Sequence, residues 1–422
     1  MASKELVTKA RKQLFDELGT TGLKRTGQLG VVYEEFLPKL QGERGRKVLR
    51  EMRDNDPVIG AILYAIEMLV RNVTWRVEGD DEQTVEFVES CLQDMSHPWE
   101  DMVAEILSML VYGFSFHEIV YKRRMGDSRD PTRRSRFNDG KIGWRKIPIR
   151  AQDSLHEWDF DDEGGVRAFV QVAPPKYERI SIPIERGLLF RLGIHKGNPE
   201  GRSILRNCYR PWYLKRRIEE IEAIGIERDL AGLPVIYRSA EVYQKYETDL
   251  KKILRNVRRD EQEGLLLPLV YDDQGREQLR FELLSSAGNR QIDITKVIDR
   301  YDKRIAMTVL ADFILLGQSN VGSFALSSSK TELFATSLGA ILKSIASVMN
   351  RYAIPRLLEI NGMKADNIPH LVHEDIETPD LKEIGAYVTA LAGAGAPLFP
   401  DENLERYLRK IANLPEKPEK NA

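Results

Sequence analysis

The chain has 422 residues, 42% of them apolar and 30% charged, enough for two or three domains with ordinary cores. Its 63 basic and 65 acidic side chains leave a formal charge of -2. That excludes a global DNA clamp, because neutralising phosphates with a basic excess dominates nucleic-acid affinity. The two cysteines, Cys91 and Cys208, lack the clustering of a zinc site or a disulfide framework and read as reduced thiols. No apolar run follows the charges of residues 1–12, so no secretory leader is visible. The most apolar stretch, 58–70, contains Glu67 and falls short of the about 20 residues a bilayer span needs. The expectation is a protein soluble and intracellular at synthesis, without a membrane partner.

Residues 1–45 are polar and charged and read as a flexible N-terminal arm. Order is expected from Asn55-Asp56-Pro57, where Asp56 can cap a helix and Pro57 suits its first position. Val58, Ile62, Ala65, Ile66, Leu69 and Val73 continue with helical spacing. An alternating strand follows at 73–78, then helices at about 81–95 and 99–112, the second closed by Gly113 in the left-handed conformation. From 114 to about 193 the pattern is strand-like: 114–121, 142–149, 166–172 and 180–192, separated by Asp139-Gly140, Gly164-Gly165 and Pro174-Pro175. An arginine-rich insert, 122–136, interrupts this sheet. It reads as a solvated hairpin loop, with nucleic-acid binding as the less favoured alternative.

A long helix is expected over 201–229, on the order of 40 Å at about 1.5 Å per residue. Its first half is basic and its second half acidic. Gly232-Leu233-Pro234 ends it. Residues 230–288 form a small α/β unit with strands at 235–238 and 278–284 and a charged helix at about 241–260. A second long helix covers 289–310. The pattern is two helices bracketing a compact insert, able to run antiparallel. A small polar segment at 315–327 carries no charge. An amphipathic helix from about 328 to 359 follows, which Pro355 should kink or end. A strand at 370–374 precedes short helices started by Thr378-Pro379-Asp380 and by Asp401. The fold class is α+β, mainly helical.

The search for chemistry finds no Walker loop, no dinucleotide GxGxxG and no G-x-S-x-G elbow. His370 and His373 sit in an apparent strand, where i and i+3 side chains face opposite ways, so a shared metal is not expected. The acidic doublets 80–81, 161–162 and 272–273 lie in turns, which favour Asp for local hydrogen bonding. No cofactor and no catalytic residue are assigned. Arg255, Arg258 and Arg259, followed at once by Asp260, Glu261 and Glu263, make a mixed-charge rim suited to a protein partner.

Three segments, taken in order, resemble a known family. Asn55-Asp56-Pro57-Val58-Ile59-Gly60-Ala61 with Trp75-Arg76-Val77 resembles the opening helix and strand of tailed-bacteriophage portal proteins, especially the Mu-like branch. Tyr112-Gly113-Phe114-Ser115-Phe116-His117-Glu118 is similar to the family's next helix-to-strand step. Gly201-Arg202-Ser203-Ile204-Leu205-Arg206, with Trp212 and Lys215, resembles the entry to its first stem helix. Leu315-Leu316-Gly317-Gln318 and Gly322-Ser323-Phe324-Ala325 sit where the family has its tunnel loop.

The resemblance covers about 46–415 and implies a division. Residues 46–200 would be the wing, 201–229 and 289–311 the two stem helices, and 230–288 the clip between them. Residues 312–327 would be the tunnel loop, 328–375 the wing helix and return strand, and 376–422 a small crown and tail. It implies a non-enzymatic, dodecameric ring at one capsid vertex of the virion, assembled in the host cytoplasm. Double-stranded DNA would pass through it without sequence specificity, with terminase, head–tail adaptor, major capsid and scaffolding proteins as partners. On the implied tunnel loop, Gln318, Ser319, Asn320 and Ser323 would face DNA, with Gly317 and Gly322 as hinges. Arg255, Arg258 and Arg259 of the implied clip would meet the protein partner. The alternatives are another ring-forming virion or scaffold component, or a nucleic-acid-processing enzyme.

Overall fold

The structure is a computed structural model describing residues 20–25, 30–231, 233–238, 247–254, 271–277, 279–284, 293–311, 324–363, 368–374, 376, 385–386, 388–391, 401, 404–405 and 409. The chain divides into two units: Met1–Asn207 with Ala306–Ala422, and Cys208–Ile305.

In the first unit, helix Pro57–Arg71 starts as its sequence dictates. The Asp56 carboxylate accepts from the backbone N–H groups of Val58 and Ile59, both at 3.0 Å, satisfying two donors that a helix start leaves without partners. Its apolar face buries Ile59, Ile62, Ile66 and Val70. Strand Trp75–Glu78 pairs antiparallel with His370–His373, so two separately predicted strands are partners. Asp81 caps helix Glu82–Gln93. The helix expected at 99–112 is two pieces, Trp99–Ile106 and Ser108–Tyr112.

Gly113 ends that second piece with φ of 90°. Gly201, at φ of 56°, lies directly against it: a Cβ there would sit 2.3 Å from the Gly113 carbonyl oxygen. The paired positive-φ glycines let two backbones meet where a side chain has no room.

The strand predicted at 114–121 is also split. Phe114–Glu118 lies between Ile149–Arg150 and Gly187–Arg191 in one sheet, while Val120–Arg123 pairs with Ile142–Lys146 in another. Strand Phe114–Glu118 is covered on both faces. Phe114 and Phe116 enter an aromatic cluster with Trp158 and Phe169, the Phe116 and Phe169 rings stacked at 4.7 Å. Ser115 and His117 face the other way, as strand alternation requires. A third sheet, Leu155–Phe160, Val166–Val172 and Arg179–Pro183, completes this part; its first strand had no sequence expectation.

The main core lies among the helices, with Met102, Ile106, Met109, Trp144, Phe190, Leu338, Leu342 and Ile345 among its enclosed residues. The helix predicted at about 328–359 runs Phe324–Val348, a π turn at Met349–Ala353, then Ile354–Ile360. Pro355, which has no N–H to give, sits just past the widened turn, the position where its ring is accommodated. By length and composition Thr331–Ile360 is apolar enough to cross a bilayer. Its Phe334, Leu338, Leu342, Ile345, Met349 and Leu357 are instead core residues.

Of the segment expected to be an arm, residues 20–25 and 30–45 are described and include packed positions. Val32 is buried in the aromatic cluster, Arg25 and Val32 form an antiparallel bridge, and Glu35 accepts a forked ion pair from Arg206 at 2.5 and 2.6 Å. A helix, Gly42–Asn55, precedes the expected start. It buries Leu49 and Met52 but completes that face with Gly45 and Arg46.

In the second unit, the helix expected from 201 begins later. Residues 201–203 are irregular, Ser203 caps a short turn at Ile204–Arg206, and the α-helix spans Tyr209–Ala231. Pro211 lies in its first turn, where a missing N–H costs nothing and the fixed φ suits a helix start. Strands Leu233–Arg238 and Leu279–Leu284 pair antiparallel. Residues 247–254 are helical. Helix Ile294–Thr308 closes the unit and carries its boundary between Ile305 and Ala306.

Candidate functional site

None of the residues singled out from the sequence as sites can be placed. Gly317, Gln318, Ser319, Asn320, Gly322 and Ser323 lie outside the described residues, as do Arg255, Arg258 and Arg259. Thr378, Pro379 and Asp380 also lie outside them. Among the described residues no group of three or more His, Cys, Asp or Glu side chains could hold a metal ion. His370 is exposed, and His373 packs edge-on against Trp75 at 5.5 Å.

Ser115 and His117 form the one hydrogen-bonded Ser–His pair among the described residues, with Oγ and Nε2 2.7 Å apart. The Nδ1 atom is 3.1 Å from the Ile147 carbonyl oxygen. A carbonyl only accepts, so Nδ1 carries the proton and Nε2 accepts from the serine hydroxyl. Both residues are wholly buried. Burial pushes the imidazole from 6.5 down to about 4, which keeps it neutral. No substrate reaches a serine so enclosed, and the pair serves to satisfy the polar face of a doubly covered strand.

The second unit carries an open depression of about 600 Å³ lined by Tyr237, Arg238, Glu277, Arg280 and Glu282. The helices Tyr209–Ala231 and Ile294–Thr308 are tied by Lys215, whose ammonium is 2.6 Å from Asp302 and almost entirely buried. Cys208 Sγ donates to the Ile305 carbonyl oxygen at 3.8 Å. As the first helix advances from 208 to 215, its partner retreats from 305 to 302, so the two run antiparallel. Away from that seam, Leu214, Ile221, Ile224 and Ile226 are exposed, Ile221 at 66%. Leu214, Ile218, Ile221 and Gly225 follow 4-3-4 spacing and so share one face of the helix. On the other helix, Lys296, Arg300, Lys303 and Arg304 are exposed. Leu214, Ile218 and Ile221 make an apolar stripe along the first helix.

The arginine-rich insert is the other unusual surface, and it is not simply solvated. Asp94 is buried beneath it, accepting from Ser135 Oγ at 2.6 Å and from the Arg136 N–H at 2.9 Å, and pairing with Lys122 at 2.8 Å. Burial alone would raise the Asp94 pKa, but these donors outweigh it and hold the carboxyl below its usual range. Arg124 is buried, 3.0 Å from Asp139 and stacked over Phe137 at 4.1 Å. Arg129, Arg133, Arg134 and Arg136 remain exposed.

Comparison with solved structures places the fold. The chain aligns with one from the virion of a native gene transfer agent particle at a TM-score of 0.51 and 11% identity, over 88% of this chain and 94% of that one. It aligns with one from the neck of the native particle, computed with C12 symmetry, at 0.50 and 12% over the same shares. An HK97 family phage portal protein from Corynebacterium diphtheriae aligns at 0.42 and 14% identity, over 76% of this chain and 92% of that one. The class is an α+β fold shared with the two chains of the gene transfer agent particle. The family described as "Portal protein of Mu bacteriophage" matches residues 46–409, and the chain belongs to that family. Its members are capsid-associated structural proteins of the phage virion.

Proposed function

We propose that the chain is one subunit of a ring at a single capsid vertex, through which double-stranded DNA enters during packaging and leaves during ejection. The single observation that carries this reading is the family match across residues 46–409. A subunit number of twelve is supported by the similar fold in a neck computed with C12 symmetry. The unit Cys208–Ile305, with its antiparallel helices and small sheet, corresponds in this reading to stem and clip. The remainder forms wing, tunnel loop and crown. The clip is the docking platform for terminase and later for the head–tail adaptor, with Arg255, Arg258 and Arg259 at that rim. The ring performs no chemistry of its own. A near-zero net charge suits a conduit, which must let every sequence slide without a tight phosphate clamp.

The exposed face of Leu214, Ile218 and Ile221 supports a head-to-tail contact between neighbouring stems, since a heterologous contact that closes generates a ring. Negative-stain projections of the purified oligomer test the whole reading. Rotationally symmetric rings with a central hole are expected; a monomer under every condition overturns it. The uncharged loop is tested separately by a cross-linker at Ser319, which should capture packaged DNA. Failure to capture it removes Gln318, Ser319, Asn320 and Ser323 from the channel wall.

A further inference from the structure

The turn over residues 127–136 contains four arginines and no lysine, in a chain whose charges otherwise nearly cancel. Its backbone is fixed. Gly126 N–H donates to the Phe137 carbonyl, Ser135 N–H to Gly126, Met125 N–H to Arg133, and Arg123 N–H to Thr132, all between 2.9 and 3.1 Å. From beneath, Asp94 holds Ser135 and Arg136. The buried Lys122 and Arg124 thus serve the scaffold, while Arg129, Arg133, Arg134 and Arg136 present their guanidinium groups to solvent. Of the turn's two acids, Asp127 and Asp130, the second is already engaged within the turn. Asp130 is engaged by the Thr132 N–H and hydroxyl at 2.9 and 2.7 Å, and lies 3.7 Å from Arg133. Arg145, on the neighbouring strand, adds to the positive field at Asp130.

We infer that this turn is a second DNA-binding site, outside any channel, that takes the phosphodiester backbone of duplex DNA without reading its sequence. Guanidinium forks match phosphate oxygens two at a time, which ammonium groups do not. A pre-ordered backbone means that little loop entropy is lost on binding. The turn offers no free aromatic ring to stack on a base, since Phe137 lies beneath Arg124. It also has no apolar anchor for a protein interface core, since Pro131 is its only apolar side chain. The inference rests on the conduit reading only for the presence of DNA beside the protein.

The test uses the assembled ring and a closed circular duplex, which cannot thread a channel. Affinity is measured over a series of salt concentrations for the wild type, for Arg129→Ser/Arg133→Ser/Arg134→Ser/Arg136→Ser, and for the corresponding four-lysine variant. The serine variant should bind at least about tenfold more weakly, with the log–log salt slope shallower by about 0.9 for each lost phosphate contact. The lysine variant should keep most of that slope. On the wild-type ring, the circle should protect these arginines from phenylglyoxal. Equal affinity of wild type and serine variant overturns the inference, as does modification unchanged by DNA. Rings that form but ignore the circle also overturn it, and leave the conduit reading intact. If the wild-type protein forms no ring, the conduit reading falls, and the same affinity series on the monomer decides the inference by the same outcomes.

Discussion

In the larger unit, Met52, Phe116, Trp144 and Phe190 are wholly enclosed, whereas in Cys208–Ile305 the isoleucines at 221, 224 and 226 stand in solvent. The buried residues of the smaller unit are few among those described: Cys208, Trp212, Lys215, Leu250 and Ile305. One of these five is an ammonium held by a carboxylate. The larger unit carries the means of its own stability. Among its described residues the smaller shows few buried side chains and an apolar stripe on one helix, a combination that makes sense when neighbouring copies cover that stripe.

The sharpest way to break this contrast is at the two cores. Trp144→Ala should cost about 3–5 kcal/mol, seen as a large drop in the main thermal transition. A shift smaller than the noise would mean that the larger unit does not rest on that core. In the smaller unit, Asp302→Ala takes its 2.6 Å carboxylate from the buried Lys215 ammonium and should cost about 3–5 kcal/mol. That loss should appear as faster amide exchange in Tyr209–Ala231 and Ile294–Thr308, while Lys215→Met, which removes the buried charge, should cost far less. Equal losses in the two variants would show that packing, not the ion pair, holds the seam.

His117 gives the larger unit a pH signature that the smaller one lacks. Its folded pKa of about 4 lies below the ordinary 6.5, so the unfolded chain takes up this proton first as pH falls. The stability tied to neutral His117 is fully present above about 6.5 and is lost progressively toward about 4, to a total of about 3 kcal/mol. Urea unfolding of wild type and His117→Gln at several pH values reads this directly. The difference between them should change across that window and be flat above it.

Much of the frame is legible in the sequence because its signals are local. Asp56-Pro57 announces a helix through a cap that needs only the next three residues. Gly113 ends one through its own φ. The partnership of Trp75–Glu78 with His370–His373 is not legible, since alternation marks a strand but names no neighbour. Helix Gly42–Asn55 escapes because Arg46 stands where an apolar residue would have signalled the face. It is buried and donates to the Leu155 carbonyl at 3.1 Å. In the insert, counting arginines cannot separate Arg124, locked against Phe137 and Asp139, from Arg129 in solvent. The loop residues proposed for DNA owe their roles to resemblance alone, as an uncharged Gly/Ser segment has no pattern specific to a channel.

The smallest expected effect on the subunit is the most informative about assembly. Ile221 is 66% exposed, so Ile221→Asp should alter subunit stability by no more than about 0.5 kcal/mol. If the face of Leu214, Ile218 and Ile221 is covered by the next copy, the aspartate would have to be buried there without a partner, at a cost of several kcal/mol at every contact of the ring. Sedimentation velocity should then find folded monomers where the wild type gives rings. Ile221→Val, which keeps the face apolar, should still assemble. Rings from Ile221→Asp at wild-type yield would mean that this face looks onto solvent in the assembly. The exposed isoleucines would then need another partner, and the contrast between the two units would lose its explanation in ring closure.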